Sequence, residues 1–206
     1  MKCLLTAALL CLLPAGNAFA HDNLFKAFSR MVSSSYIEAG YSYSAVISGV
    51  KTDGEGAVSV QGQAYHFTGN GLEIWCDGSS EWVADSQSKE MFIEPAGDIQ
   101  VSSIANPASV FINLGTSFSV DSIKKAGNGL NEYRLLPVSS NGFKECVVWL
   151  SGTCAAPVLE KARVVTSDGI SVDIFFNSVT LSSEMKPESF FRPADLGAGW
   201  VVTDLR

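Results

Sequence analysis

Histidine is almost missing from this 206-residue chain, which holds only His21 and His66. No Cys-x-x-Cys pair occurs either, so a zinc site would lack ligands and no metal or other cofactor is expected. Positive charge is also scarce: 14 Lys and Arg stand against 21 Asp and Glu, a net charge of -7. Such a chain has no basic stripe for counterion release on nucleic acid and no polybasic patch for anionic membrane surfaces. Nucleic acid is therefore not an expected partner. There is no Gly-x-Ser-x-Gly elbow, no phosphate-binding loop, and no Ser or Cys whose spacing pairs it with either histidine, so catalysis is not expected. The carboxylates Glu73, Asp77, Glu81 and Asp85 crowd around one hairpin, where such groups usually serve as solvated guards against edge-to-edge aggregation. Long apolar runs are lacking as well. After the first residues, no segment reaches the roughly 18 uninterrupted apolar positions that a spanning helix needs. The 47% hydrophobic content must then go into a core or a cavity.

The one concentrated apolar run lies at the start. Lys2 gives a short positive region, Leu4 to Leu13 form a stretch too short to span a bilayer, and Ala18-Phe19-Ala20 fits the small-x-small site of a signal peptidase. Residues 1–20 read as a signal peptide, with the mature chain starting at His21 as a soluble exported protein. Loss of Lys2 takes the net charge from -7 to -8. Residues 21–206 suit one domain. Cys3 and Cys11 leave with the leader, and Cys76, Cys146 and Cys154 remain. An odd number requires at least one free thiol; a Cys146–Cys154 bridge is open, because Cys146 sits in an apolar strand where a buried thiol is the ordinary occupant.

Along the mature chain, Leu24, Phe25, Phe28, Met31 and Val32 fall on one helical stripe over residues 23–34. From Tyr36 the period changes to two: Ile37, Ala39, Tyr41, Tyr43, Ala45 and Ile47 alternate with small or polar neighbours, which makes a half-buried strand. Further strands are expected near 56–68, 71–76, 81–86, 89–94, 116–122, 130–138, 143–151, 158–166, 169–180 and 200–204. They are punctuated by Asp53-Gly54, Asn70-Gly71, Asp77-Gly78, Asn128-Gly129, Asn141-Gly142, Ser151-Gly152 and Asp168-Gly169, pairs that tolerate positive φ. Pro107 can open a second helix over 107–113 after Asn106, with Val110, Phe111 and Leu114 on its apolar side. About ten antiparallel strands cannot stay flat, because twist curls the sheet and its faces need cover. A sandwich, a closed barrel and a curled half-barrel filled by helices all meet that demand. A four-residue turn at Asp77 to Ser80 sets Trp75 opposite Trp82, and Tyr65, Phe67, Phe92, Trp149, Phe175 and Phe176 add aromatic bulk nearby. The set suits either an aromatic core or the wall of an apolar pocket.

The segment GLEIWCDGSSEWVADSQSKEMFIEP, then NPASVFINLG, then the ending FFRPADLGAGWVVTDLR resembles the LolA-like periplasmic carriers of outer-membrane lipoproteins. The matching positions are Asp77-Gly78, Trp82, Asn106-Pro107, Phe190 and Phe191 with Pro193, Gly199, Val201 and Val202, and the terminal Asp204-Leu205-Arg206. The resemblance implies a mainly β, α+β fold: an incomplete antiparallel β-barrel of about ten to eleven strands, its concave face covered by short helices. It further implies a monomeric periplasmic chaperone with a hydrophobic cavity for acyl chains, loaded by an inner-membrane complex and unloaded at an outer-membrane acceptor. Carried onto this chain, Phe25, Phe28 and Met31 belong to the lid helix and Phe111 to a second covering helix. Tyr65, Phe67, Trp75 and Trp82 become candidates for the concave wall, with Phe92 and Trp149 as further lipid-binding candidates. The family's Arg-Pro pair on the strand before the Asp-Gly hairpin is replaced by Gln63-Ala64-Tyr65-His66-Phe67. His66 is the available polar latch there, or else a half-exposed surface residue. The alternative function is a periplasmic lipid-binding sensor or a transporter of free lipid with the same fold. A lipocalin-type barrel finds no support in the Asp-Gly hairpin or the C-terminal pattern.

Overall fold

A computed structural model describes residues 17–47, 49–96, 107–114, 116–139, 142–194 and 197–206, with side chains from Asn23 onward. Residues 1–16 of the expected leader, Asn106 ahead of the expected second helix, and Asn141 of an expected turn lie outside the described residues. The first helix, α1, runs Asn17–Ser34 and so starts before the expected position 23. Its stripe is as read: Leu24, Phe25, Phe28 and Val32 are buried. At its end the hydroxyls of Ser33 and Ser34 donate to the carbonyls of Ser29 and Arg30 at 2.8 and 3.1 Å. These are back-bonds to the carbonyl one turn earlier, which keep the two hydroxyls paired at the helix end.

Strands β1 (Tyr36–Ile47), β2 (Val50–Gln61), β3 (Ala64–Gly69), β4 (Leu72–Cys76), β5 (Ser80–Asp85) and β6 (Glu90–Pro95) follow as a meander. After the short helix α2 (Ala108–Asn113) come β7 (Phe118–Gly127), β8 (Leu130–Pro137), β9 (Phe143–Thr153), β10 (Ala156–Thr166) and β11 (Ser171–Ser182). A single 3-10 turn at Glu188–Phe191 leads to β12 (Val201–Asp204). All twelve strands form one sheet in the order β12-β6-β5-β4-β3-β2-β1-β11-β10-β9-β8-β7. The two halves of the chain are joined by the β1–β11 pairing, and the sheet ends on β12 and β7 without closing. The architecture is the incomplete barrel expected, with one more strand than the upper count.

Several details correct the expectation. Ser151-Gly152 is no turn, since it lies inside β9 and the hairpin turns at Cys154 and Ala155. The stretch 56–68 is not one strand, because the chain turns at Gly62, where φ is 61°. Asp53-Gly54 is no turn and lies inside β2. There, Gly54 and Gly56 face Tyr43 and Tyr41 of β1. A Cβ on Gly54 would stand 2.6 Å from the Tyr43 ring, so these glycines serve close approach of aromatic rings instead of positive φ. Asn70-Gly71 and Asn128-Gly129 do form hairpins, both residues of each pair having positive φ. The last strand is also unlike the others, since β12 pairs parallel to β6.

Side-chain alternation divides the sheet into two faces. The inner face carries the main core, which includes Ile37, Ala39, Tyr41 and Tyr43 of β1, Val58 and Val60 of β2, and Tyr133 and Leu135 of β8. Helix α1 lies over β7, β9 and β10, and α2 lies over β2. The outer face holds a smaller cluster of Trp75, Ala84, Met91 and Ile93, with Trp82 and Trp200 packed against it. Cys76, Cys146 and Cys154 are all free thiols, so no Cys146–Cys154 bridge forms.

Candidate functional site

The inner face brings the lid and wall candidates together. Phe25 of α1 meets Tyr133 of β8 with ring centroids 5.4 Å apart, and Phe111 of α2 meets Phe176 of β11 edge-on, also at 5.4 Å. Phe28 and Phe111 are 0% and 1% exposed, while Met31 is half-buried on the same helix as Phe28. Tyr65 and Phe67 alternate inward from β3 and are buried in the same core. Phe92 stands opposite Val83, so it shares this side of the sheet near the β12 edge, where it is 39% exposed.

Three candidates lie elsewhere. Trp75 and Trp82 do pair directly across β4 and β5, as the hairpin spacing requires, but on the outer face. Ile74 and Cys76 on either side of Trp75 point into the main core, which fixes the parity. Trp149 also faces outward, between the buried inner residues Val148 and Leu150, and the Lys161 ammonium sits 4.9 Å from its ring centre. The concave-wall expectation for Trp75 and Trp82, and the matching one for Trp149, is thereby corrected. A strand with bulky residues on both faces offers no hydrophobic contrast from which to read its orientation.

His66 is likewise on the outer face, which removes it as a latch for helices on the inner one. Its ring stacks on Trp75 at 5.2 Å, Nε2 lies 2.8 Å from Glu73 Oε1, and Phe190 approaches edge-on. Nor are all the hairpin carboxylates solvated. Asp77, with a side chain only 5% exposed, accepts the Ser79 and Ser80 amides at 2.8 and 2.9 Å and Arg192 Nε at 2.8 Å. Burial pushes its carboxyl up, but those hydrogen bonds and the Arg192 charge outweigh it, leaving the pKa below the ordinary value. Glu81 accepts a hydrogen bond from the Tyr65 hydroxyl on the inner side. Burial, reinforced by the facing Glu94 and only partly offset by Tyr65, holds its pKa above the ordinary value.

The residues that sequence reasoning left out of the site are Tyr41, Tyr43 and Tyr133, and Phe176, read only as nearby aromatic bulk, joins them in the inner core. The period-two pattern of β1 does mark Tyr41 and Tyr43 as one face, and only the register shows that this is the face beneath the helices. An open cavity of about 420 Å³ lies where Gly40, Gly56 and Gly69 come together, with Tyr41, Ala57, Glu55, Thr68 and Asn177 around it. Apart from Tyr41 and Ala57 its surround is glycine backbone and polar side chains, which give a hydrocarbon chain little to pack against. Among the described residues no group of three His, Cys, Asp or Glu is placed to hold a metal ion, and no helix is long and apolar enough to cross a membrane.

The fold and this site define an open antiparallel half-barrel with an aromatic inner face under helices. No family model and no curated protein matches the chain. Among solved structures, it is similar to a LolA superfamily protein from Nitrosomonas europaea at 9% identity, covering 84% of this chain and 98% of that one with a TM-score of 0.47. A DUF1329 family protein from Desulfovibrio piger aligns at 11% identity over 84% and 97% of the two chains, TM-score 0.46. A putative outer membrane lipoprotein-sorting protein domain from Vibrio parahaemolyticus aligns at 12% identity over 83% and 97%, TM-score 0.43.

Proposed function

We propose that the protein is an exported, monomeric carrier that takes the acyl chains of lipoproteins between its inner sheet face and its two helices and escorts them across the periplasm to the outer membrane. The observation that carries this reading is the inner face itself: a broad apolar and aromatic surface whose cover is two separate helices instead of a second sheet. Phe25 on Tyr133 and Phe111 on Phe176 are side-chain contacts, which can part without breaking a strand ladder. Lifting either helix would expose apolar surface for a chain to occupy.

Energetics suit a carrier. Each buried methylene contributes about 0.8 kcal/mol, so one sixteen-carbon chain fully enclosed would supply roughly 12 kcal/mol, near nanomolar affinity. A transporter must release its cargo, and partial burial beneath a movable cover lowers that figure without nucleotide hydrolysis. In this reading residues 1–20 direct export and are removed, the mature chain uses no cofactor and catalyses no reaction, and membrane partners load and unload it. Native mass spectrometry of the protein purified gently from its host's periplasm tests the proposal. An adduct with the mass of an acylated polypeptide is expected. A phospholipid or fatty-acid adduct would move the function to lipid sensing or free-lipid transport, and failure to bind added acylated lipoprotein would end the carrier reading.

A further inference from the structure

One polar group on the inner face has no partner. Tyr41 is 1% exposed, and its hydroxyl makes no hydrogen bond among the described residues. Its neighbours of the same kind are all satisfied: Tyr36 donates to Glu38 at 2.6 Å, Tyr43 accepts from Asn70, and Tyr65 donates to Glu81. An orphaned buried hydroxyl forfeits the hydrogen bonds it had in water, and phenylalanine would fill the same ring site without that loss.

The surroundings of this hydroxyl point to a ligand. Tyr41 is the cross-strand partner of Phe176, on which Phe111 of α2 sits, so it lies beside the seat of the second covering helix. On its other side the strands carry glycine. A Cβ on Gly56 would stand 2.9 Å from the hydroxyl oxygen and one on Gly69 would stand 3.4 Å away, so two missing side chains make the space it occupies. Burial among apolar groups keeps the phenol protonated and therefore a donor. An acyl chain that enters an apolar face brings in the carbonyl of its ester or amide linkage, an acceptor that also needs a partner when buried.

We propose that Tyr41 is the hydrogen-bond donor for the carbonyl of a bound acyl ester or amide, held on the inner face beside α2. The inference rests on the carrier reading and adds to it a recognition element for the linkage, beyond the hydrocarbon. The test compares two lysophospholipids that differ only in that carbonyl, palmitoyl ester and hexadecyl ether, as displacers of an apolar fluorescent probe from the exported chain. The ester is expected to bind about five- to tenfold more tightly than the ether, the worth of one such hydrogen bond. In Tyr41→Phe the two lipids should become equivalent, with a melting temperature equal to or above that of the native chain. An ester preference that survives in Tyr41→Phe, or a lower melting temperature for that variant, overturns the assignment. Equal binding of both lipids to the native chain, or binding of neither, overturns it; the carrier reading falls with it only if added acylated lipoprotein also fails to bind.

Discussion

Single residues show how far burial sets chemistry here. Cys146 on β9 and Cys76 on β4 are buried, and desolvation pushes their thiols up to about 12 and about 11, while Cys154 in the β9–β10 turn is exposed. Thiol titration of the His21–Arg206 chain at pH 8 should therefore find one fast cysteine, with the other two reacting only on unfolding. The raised values also set a direction for stability: the contribution of the two thiols is complete below an ordinary cysteine pKa and is lost as pH rises through about 11 to 12. Denaturation midpoints should fall over that range, and Cys146→Ala should flatten the decline. Glu81 is the acidic counterpart. Its raised pKa means that ionisation opposes folding at neutral pH, so Glu81→Gln, which keeps an acceptor for Tyr65, should raise the melting temperature at pH 7. That gain should shrink as pH drops through the carboxyl range, where the native residue is protonated too. At this scale the sequence was misleading in one direction. Asp77 and Glu81 are charged residues on a hairpin and read as solvated, yet both are held by specific bonds, Asp77 to Arg192 far along the chain and Glu81 to Tyr65 two strands away.

Among the elements, the C-terminal segment is the one whose role the sequence pattern did not announce. It crosses the outer face as a strap. Lys186 exchanges two hydrogen bonds with the Gln61 side chain at 2.8 and 3.1 Å, Phe190 rests on Tyr36 and His66, and Arg192 pairs with Asp77. Further on, Val201 donates to Lys89 and Leu205 to Ile93 through the backbone, and the Arg206 guanidinium reaches Ser80. Asp77→Asn keeps the turn's amide acceptor but removes the charge that holds Arg192. A glutamyl endopeptidase should then cut after Glu184 and Glu188 in the strap sooner than in the native chain, while the sheet persists. Because the Asp77 pKa is lowered, its contribution is present above the ordinary carboxyl pKa and is lost as pH falls through the lowered one, so acid should loosen the same strap. The helices and hairpins, by contrast, were largely legible. The stripe of α1, Pro107 ahead of α2, and the Asn-Gly turns state their own geometry locally, whereas Asp53-Gly54 did not, because its glycine answers to Tyr43 on another strand.

For the molecule as a whole, the sheet has two apolar faces with two kinds of cover: helices inside, the strap outside. The outer cluster of Trp75, Ala84, Met91 and Ile93 depends on Trp200 and β12 for part of its shelter. Removing residues 183–206 should expose it. The truncated chain is expected to bind an environment-sensitive dye strongly and to self-associate in sedimentation, as bare apolar patches do. If instead it stays monomeric and dye-silent, the strap is dispensable cover. The sequence by itself determined most strands and both helices, the hairpins at Asn70-Gly71 and Asn128-Gly129, and the acidity, because periodicity and turn chemistry act over a few residues; the incomplete barrel came from the family resemblance, since the local pattern fitted a sandwich or a closed barrel as well. Only the tertiary structure decided which face each aromatic serves. Trp75, Trp82 and Trp149 went outward because strand register, which no local pattern encodes when both faces are apolar, assigns every side chain of a strand at once, and for Tyr41 and Tyr43 it decided that their shared face is the one beneath the helices.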